Sequence, residues 1–141
     1  MNIFRRARVE ADLDGGFLAG EARALQTSMR AALSGGERGA EQPVPVELVI
    51  EAGTGDLLVL VCRNLLVGFV PAEHAASLAP QLARAGKARL VAPGRLYRDG
   101  GLWRVWVGVV PHDGLPAAPR DLDRLAAPEL TVFGVRLPRL G

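Results

Sequence analysis

Apolar and polar residues alternate along residues 44–51, which predicts a half-buried strand. The apolar positions are Val44, Val46, Leu48 and Ile50, and Glu47 and Glu51 lie between or beside them. Residues 57–62 are apolar at nearly every position, so we expect a second strand covered on both faces. A third strand, residues 65–70, follows a tight turn at Arg63-Asn64, because Asn tolerates left-handed dihedrals. Pro71 then ends the strand and suits the start of a helix.

The hydrophobic period lengthens to three or four residues in two other segments, which predicts two helices. In residues 21–34 the apolar positions are Ala22, Leu25, Met29, Ala32 and Leu33. Gly35-Gly36 is expected to end this helix, and residues 37–45 to form a loop. The second helix follows Pro71 and ends at Gly86. Its apolar face holds Ala75, Leu78, Ala79 and Leu82. Pro80 is expected to kink or split it.

Further strands are expected towards both ends of the chain. Residues 5–13 and 17–19 predict two strands separated by a Gly-rich turn. Residues 87–98 predict a long strand with a bulge or bend at Pro93-Gly94. Residues 102–110 pair back across an Asp99-Gly100-Gly101 hairpin turn. We expect one domain at residues 1–112 and a Pro-rich linker with a C-terminal extension at residues 113–141. A short helix over 120–127 and a last strand over 130–137, broken by Gly134, are predicted there. The extension packs back as an extra strand or mediates self-association.

The composition is typical of one small intracellular domain. The chain has 141 residues, of which 49% are hydrophobic, enough to form a core. Its one cysteine, Cys62, excludes an intrachain disulfide. The N-terminal residues lack the apolar run of a signal peptide, and no stretch approaches the ~20 apolar residues of a membrane span. We therefore expect a cytoplasmic protein that has no membrane partner.

Positive charge is concentrated in one part of the chain. Residues 61–110 contain seven Lys or Arg and two Asp or Glu, a net charge of +5, whereas residues 1–60 carry −3. Within this basic part, the predicted hairpin interleaves cations with aromatic residues, a combination that single-stranded nucleic-acid surfaces use for phosphate contacts and base stacking. The candidate binding residues are Lys87, Arg89, Arg95, Tyr97, Arg98, Trp103, Arg104 and Trp106. The alternative is that the arginines are solvated strand residues and that at least one Trp fills the core.

The sequence offers little for catalysis. Cys62 lies within an apolar strand, where a thiol is usually buried and inert. His74 and His112 are the only histidines, and three scattered residues do not supply the four ligands of a zinc site. Asp121 and Asp123 are typical of a helix N-terminus. We therefore predict a protein that is not an enzyme and needs no cofactor or metal.

Several short motifs follow one another along residues 17–110. Leu18-Ala19-Gly20-Glu21, followed by a helix with Gln26, is similar to the "VxGE" start of bacterial HIRAN-like proteins. Val46-Glu47-Leu48-Val49-Ile50-Glu51 is similar to the family's "VELVPEP" strand. Val67-Gly68-Phe69-Val70-Pro71, with Glu73 and Ala75-Ala76 after it, resembles the "VGYLP" step and the "REVA" that follows. The resemblance covers residues 17–110, and the positions that carry it include Asp56, Gly68, Phe69 and Pro71.

This resemblance implies a fold and a ligand. The fold is α+β: a small, mainly antiparallel, OB-like, partly closed β-barrel with two packed helices. HIRAN domains are associated with DNA ends, and an "NPYDPNAV" loop between their first two strands is implicated in holding a single-stranded end. Here the loop is degenerate: Ala52-Gly53-Thr54-Gly55-Asp56 contains no Asn-Pro pair and no aromatic residue. Asp56 is the only acid in the place of the motif's Asp, and it is also a typical turn residue.

Two functions remain open. The first is a non-enzymatic, HIRAN-like binding module, with single-stranded DNA or DNA ends as the first candidate ligand. The second is a module for protein interaction or self-association that has lost the DNA-binding pocket.

Overall fold

A computed structural model of the chain describes residues 7–125, 131–132 and 135–136. The strands are β1 (Arg8–Glu10), β2 (Phe17–Leu18), β3 (Val44–Ala52), β4 (Leu58–Cys62), β5 (Leu65–Phe69), β6 (Arg89–Asp99), β7 (Leu102–Val107), β8 (Thr131–Val132) and β9 (Val135–Arg136). The helices are α1 (Gln26–Ala32), α2 (Gly35–Gly39) and α3 (Ala72–Ala85), and a 3-10 turn (Ala22–Leu25) leads into α1.

Strands β2 to β7 form one curled, mainly antiparallel sheet. Its order is β2-β7-β6-β3-β4-β5, and β1 pairs with β6 in parallel. The two ends of the sheet meet at Gly20 and Phe69, which exchange backbone hydrogen bonds of 2.8 and 3.1 Å. The sheet thereby closes partly on itself, and short helices pack against it. The predicted class, a small α+β fold with a partly closed barrel, is confirmed.

The core lies inside the curl and consists mostly of aliphatic side chains. Leu48, Leu60, Leu96 and Val105 are fully buried and point inward from four different strands. Trp103 also lies in this core, as the alternative interpretation of the hairpin predicted. The outward side chains of β3 and β4 are only partly covered. The expectation that β4 is covered on both faces is therefore wrong: Leu58, Leu60 and Cys62 are buried, whereas Val59 and Val61 are half-buried.

The expected loop at residues 37–45 begins instead as helix α2. Ser34 caps this helix by accepting a 3.1 Å hydrogen bond from the Glu37 amide, while the Glu37 carboxylate accepts one of 2.8 Å from the Ser34 amide. This reciprocal capping box satisfies two amides that the first turn of a helix otherwise leaves without partners. Gly35-Gly36 therefore begins a second helix and does not simply end the first.

Proline and glycine neither split helix α3 nor introduce a bulge into strand β6. Helix α3 is not split, because it continues through Pro80. Strand β6 has no bulge at Pro93-Gly94, since its register with β3 is unbroken. Gly94 instead permits close packing: a Cβ added there would lie 2.4 Å from Leu48 Cδ1. The hairpin turn of β6 and β7 is as predicted, with Gly100 and Gly101 at positive φ.

The C-terminal extension follows the predicted course only in part. Residues 120–125 form a turn and bends instead of the first part of a helix, and residues 126–127 lie outside the described residues. Strands β8 and β9 both lie within the predicted range 130–137 and pair with each other, and Gly134, the predicted break, lies outside the described residues. Residues 111–125, which we call the strap, run as irregular chain over the β6–β7 hairpin and make the hydrogen bonds given below.

Candidate binding surface

An open groove lies on the outer face of β3, β4 and β6. We call it the outer groove, and its volume is about 1010 Å³. Val61, Val49 and Val91 are register partners across the three strands and form its apolar floor. A row of β-branched residues suits such a partly covered sheet surface.

Charged side chains of both signs stand around this floor. They are Arg63, Arg89 and Arg95 on the one hand, and Glu10, Glu47 and Glu51 on the other. Glu47 pairs with Arg8 at 2.7 Å. Within the described residues, neither Arg89 nor Arg95 forms an ion pair, so these two guanidinium groups are the groove's uncompensated cations. Of the predicted hairpin residues, the structure thus brings these two together on one surface.

Arg63 is held at one end of the groove by helix α2. Its guanidinium donates hydrogen bonds of 2.7 and 3.0 Å to the two carboxylate oxygens of Glu37, and one of 2.9 Å to the carbonyl of Ala32. The bond from Arg63 and the amide of Ser34 lower the pKa of Glu37 to about 2. The same carboxylate raises the pKa of Arg63. Arg63 therefore enters the groove with its charge already balanced.

The outer face of the β6–β7 hairpin continues the groove, but the strap covers it. Arg95 lies opposite Trp106 and Tyr97 opposite Arg104, so these four candidate residues share one face. Trp106, Tyr97 and Arg104 are only 7, 6 and 8% exposed. The strap covers Tyr97, whereas the Trp106 ring lies beside Gly16, where an added Cβ would be 2.9 Å from it, so a base cannot stack on either ring.

Three hydrogen bonds join the hairpin to the chain that follows it. The Tyr97 hydroxyl donates to the carbonyl of Pro116 at 2.5 Å, and the Trp106 indole to the carbonyl of Val109 at 2.9 Å. The amide of Ala118 donates to the carboxylate of Asp99 at 3.0 Å. Burial and the charge of Asp99 raise the pKa of Tyr97 to about 12.

Two buried carboxylates latch the far end of the strap. Asp123 accepts hydrogen bonds from Arg104 Nη1 at 2.5 Å and from the Ala22 amide at 3.0 Å. Glu21 accepts one bond of 2.7 Å from each of the Arg124 and Leu125 amides. Glu21 precedes the 3-10 turn and binds the strap, whereas Asp123 lies in the strap and binds Arg104 and the Ala22 amide. We call this pair of carboxylates the latch. The sequence predicts Asp123 at a helix start, and Glu21 at the start of the first helix and in the "VxGE" match, but it does not predict these contacts.

The remaining hairpin candidates lie apart from this face. Arg98 is on the opposite face, with its guanidinium carbon 5.0 Å from the ring centre of Trp103, a cation–π distance. Trp103 is 3% exposed. Lys87 is exposed and precedes β6. Seven of the eight candidates therefore divide among the outer groove, the covered outer face and the inner face, and Lys87 lies just before β6.

The family-like positions are also spread over more than one place. Gly68 is buried where β5 passes Ala19, and a Cβ on Gly68 would lie 2.7 Å from the Ala19 Cβ. Phe69 and Pro71 line a cavity of about 560 Å³ between the start of α3 and the strap. Asp56 is exposed in the β3–β4 turn and lines a different depression beside α3. The structure does not bring Asp56 together with Phe69 and Pro71 in one cavity.

The cysteine and the two histidines lie in three separate surroundings. The buried Cys62 thiol has a raised pKa because burial disfavours the thiolate. The His74 ring stacks on Phe17 with 4.5 Å between centroids, and His112 is exposed. Among the described residues, His, Cys, Asp and Glu form no group of three or more that could hold a metal. Over the same ranges, the helices are too short or too polar to cross a membrane.

The comparisons with known proteins add no relative. No protein-family model, no curated protein and no solved structure matches this chain.

Proposed function

We propose that this chain is a non-enzymatic, HIRAN-like binding module that holds single-stranded nucleic acid along the outer groove. The observation that carries the proposal is the presence of two uncompensated arginines, Arg89 and Arg95, above the apolar floor. The order of family-like motifs over residues 17–110 supports the same ligand class.

The two arginines would bind different phosphates of one strand. They are six residues apart on β6, about 20 Å along the strand at ~3.3 Å per residue. The valine floor between the walls would contact sugars and base faces. Glu10 and Glu51 on the same walls repel phosphates, so we expect a modest affinity that is greatest at low salt. Because the Asn-Pro and aromatic residues of the end-binding loop are missing, we expect the groove to bind along a strand and to ignore its terminus.

An oligonucleotide titration at low salt tests this proposal. We expect Arg89→Gln and Arg95→Gln each to weaken binding of a labelled single strand, and each to reduce the slope of log K against log[salt] by about 0.7, the value for one phosphate contact. The control is Arg84→Gln, which removes an equal charge from the exposed last turn of α3. Oligonucleotides with free and blocked 3′ ends should bind equally. Absence of binding at low salt, or equal losses in all three variants, would contradict the proposal.

A second candidate is a protein-interaction or self-association module. It is favoured by the composition of the groove walls, since three arginines and three glutamates line them, and a protein segment of mixed charge fits such walls better than a polyanion does. Here we expect an association that depends on protein concentration and changes little with salt. Val49→Glu would place a charge on the apolar floor and weaken that association. An oligonucleotide that competes for the groove would exclude this candidate.

A further inference from the structure

Asp123 occupies a position that would suit a phosphate. Its carboxylate is held by a guanidinium nitrogen of Arg104 and by the backbone amide of Ala22. Charge-assisted donors of this kind bind phosphate oxygens as well as carboxylates. The anion now seated there comes from the strap of the same chain, about twenty residues after Arg104.

Arg104 is an unusual residue for a purely structural role. Its side chain is only 9% exposed, and its Nε has no hydrogen-bond partner among the described residues. The nearest additional carboxylate, Asp99, is 4.0 Å from that nitrogen. A buried donor left without a partner costs stability, so the strap satisfies this guanidinium incompletely. A ligand with more acceptor oxygens than one carboxylate would satisfy it better.

The covered face is continuous with the outer groove. Arg95 is part of the groove wall and is the register partner of Trp106. Trp106 lies two residues from Arg104 on the same face, and Tyr97 is opposite Arg104. If the strap moved away, the groove would extend from Arg89 and Arg95 to Arg104, with the Tyr97 ring beside it. Cations beside aromatic rings are what a single strand needs for phosphate contacts and stacking.

We propose that the strap is an autoinhibitory lid, and that Asp123 fills an anion site, made by Arg104 and the Ala22 amide, that takes a phosphate of single-stranded nucleic acid when the lid opens. This inference rests on the proposed function. The apparent affinity of such a site is the intrinsic affinity reduced by the fraction of molecules with the lid open. Glu21 stays beside the site after opening and repels phosphate, so it limits the affinity of the open form.

Two full-length variants open the lid in different ways. Asp123→Asn keeps the side-chain shape but removes the charge that holds Arg104. Ala118→Pro removes the amide that donates to Asp99 and alters no charge. The matched control is Asp121→Asn, which removes an equal charge from an exposed strap residue. Hydrogen exchange at the Arg124 and Leu125 amides, which bind Glu21, reports lid opening independently of any ligand.

We expect faster exchange at those amides in Asp123→Asn and Ala118→Pro, and unchanged exchange in Asp121→Asn. Binding of a labelled oligothymidylate should tighten by about tenfold in both opened variants, the order expected from losing one charge-assisted hydrogen bond. The salt slope should steepen by about 0.7 for the one new phosphate contact. Adding Arg104→Gln to either variant should abolish the gain.

The outcomes separate the lid from the groove. An equal gain in Asp123→Asn and Asp121→Asn would overturn the lid, because the effect would then come from net charge alone. Faster exchange in Ala118→Pro together with unchanged oligonucleotide binding would also overturn the lid, provided that the wild-type protein binds through Arg89 and Arg95. If exchange accelerates but no protein binds the oligonucleotide, the proposed function fails along with the lid. If no variant alters exchange, the strap is a fixed part of the fold.

Discussion

Gly68 should be the glycine that permits the barrel to close, and replacing it tests the packing directly. A Cβ added at this position would lie 2.7 Å from the Cβ of Ala19 and 3.4 Å from Leu60 Cδ1. Real carbon atoms do not approach to 2.7 Å without a shift of the backbone, and Ala19 has no side chain that could rotate away. Gly20, the next residue, forms the bridge to Phe69 that joins the two ends of the sheet. The strain of Gly68→Ala would therefore act on the closure itself.

The expected loss follows from two opposing effects. Overpacking a core contact costs about 1–3 kcal/mol, and alanine regains about 0.5–1 kcal/mol over glycine within a strand. We therefore expect Gly68→Ala to lower the free energy of unfolding by about 1–2 kcal/mol. For a chain of this length that corresponds to a fall in Tm of roughly 3–6 °C. Circular dichroism during thermal and urea unfolding measures both quantities.

A second substitution makes the reasoning refutable. Ala19→Gly removes the atom that the new methyl group would meet, so Gly68→Ala combined with Ala19→Gly should recover stability, with a favourable coupling of about 1 kcal/mol. The control is Gly36→Ala, which has open space around its added Cβ and lies in α2, where alanine is favoured by up to about 1 kcal/mol. If Gly68→Ala melts like the wild-type protein, or if the two substitutions simply add, the closure does not depend on this contact.

Three further predictions concern single ionisable groups. The pKa of Glu37 is lowered in the folded state, so the stabilising contribution of Glu37 is complete above its unfolded pKa of about 4.5 and is lost as the pH falls towards 2. Acid unfolding of Glu37→Gln should show no such loss of stability in this range. Identical acid unfolding profiles for the variant and the wild-type protein would contradict the pairing with Arg63. Tyr97 is the only tyrosine, so absorbance at 295 nm should show little ionisation at pH 10 and a midpoint near pH 12. The free energy of unfolding should fall between these two pH values, because only the unfolded state ionises there. A midpoint near pH 10 in the folded protein would mean that the strap does not cover the ring. The Cys62 thiol should react with a thiol reagent only at the rate of unfolding, since it is buried and its pKa is raised; a rapid reaction without denaturant would contradict its burial.

The central strands could be predicted because their patterns are local. Alternation with a period of two in residues 44–51 determines which face of β3 is buried, and the structure buries Val44, Leu48 and Ile50 as expected. The same alternation correctly placed Arg104 and Trp106 on one face. Helix α2 was missed although its signal is present in the sequence: Ser34-Gly35-Gly36-Glu37 has the spacing of a capping box. The two glycines disfavour a helix, and the cap, together with the bond from Arg63 to Glu37, offsets that cost.

The strap could not be predicted, since its contacts join distant parts of the chain. Glu21 and the amides it binds are more than one hundred residues apart in sequence. Neither a period nor a local motif connects them. The sequence therefore indicated a basic and aromatic hairpin but not its cover, and the Tyr97 ring is buried beneath residues 111–125.

Net charge along the sequence misleads for the same physical reason. Residues 61–110 hold seven cations and a net charge of +5, yet Arg63 is balanced by Glu37 and Arg104 by Asp123, both of which lie outside that segment. The outer groove of the closed form thus offers a ligand two uncompensated arginines, Arg89 and Arg95. Binding there should have a salt slope of about −1.4, for two phosphates on a single strand, whereas five net charges would give about −3.5. The measured slope therefore distinguishes a groove of two arginines from a diffuse basic surface.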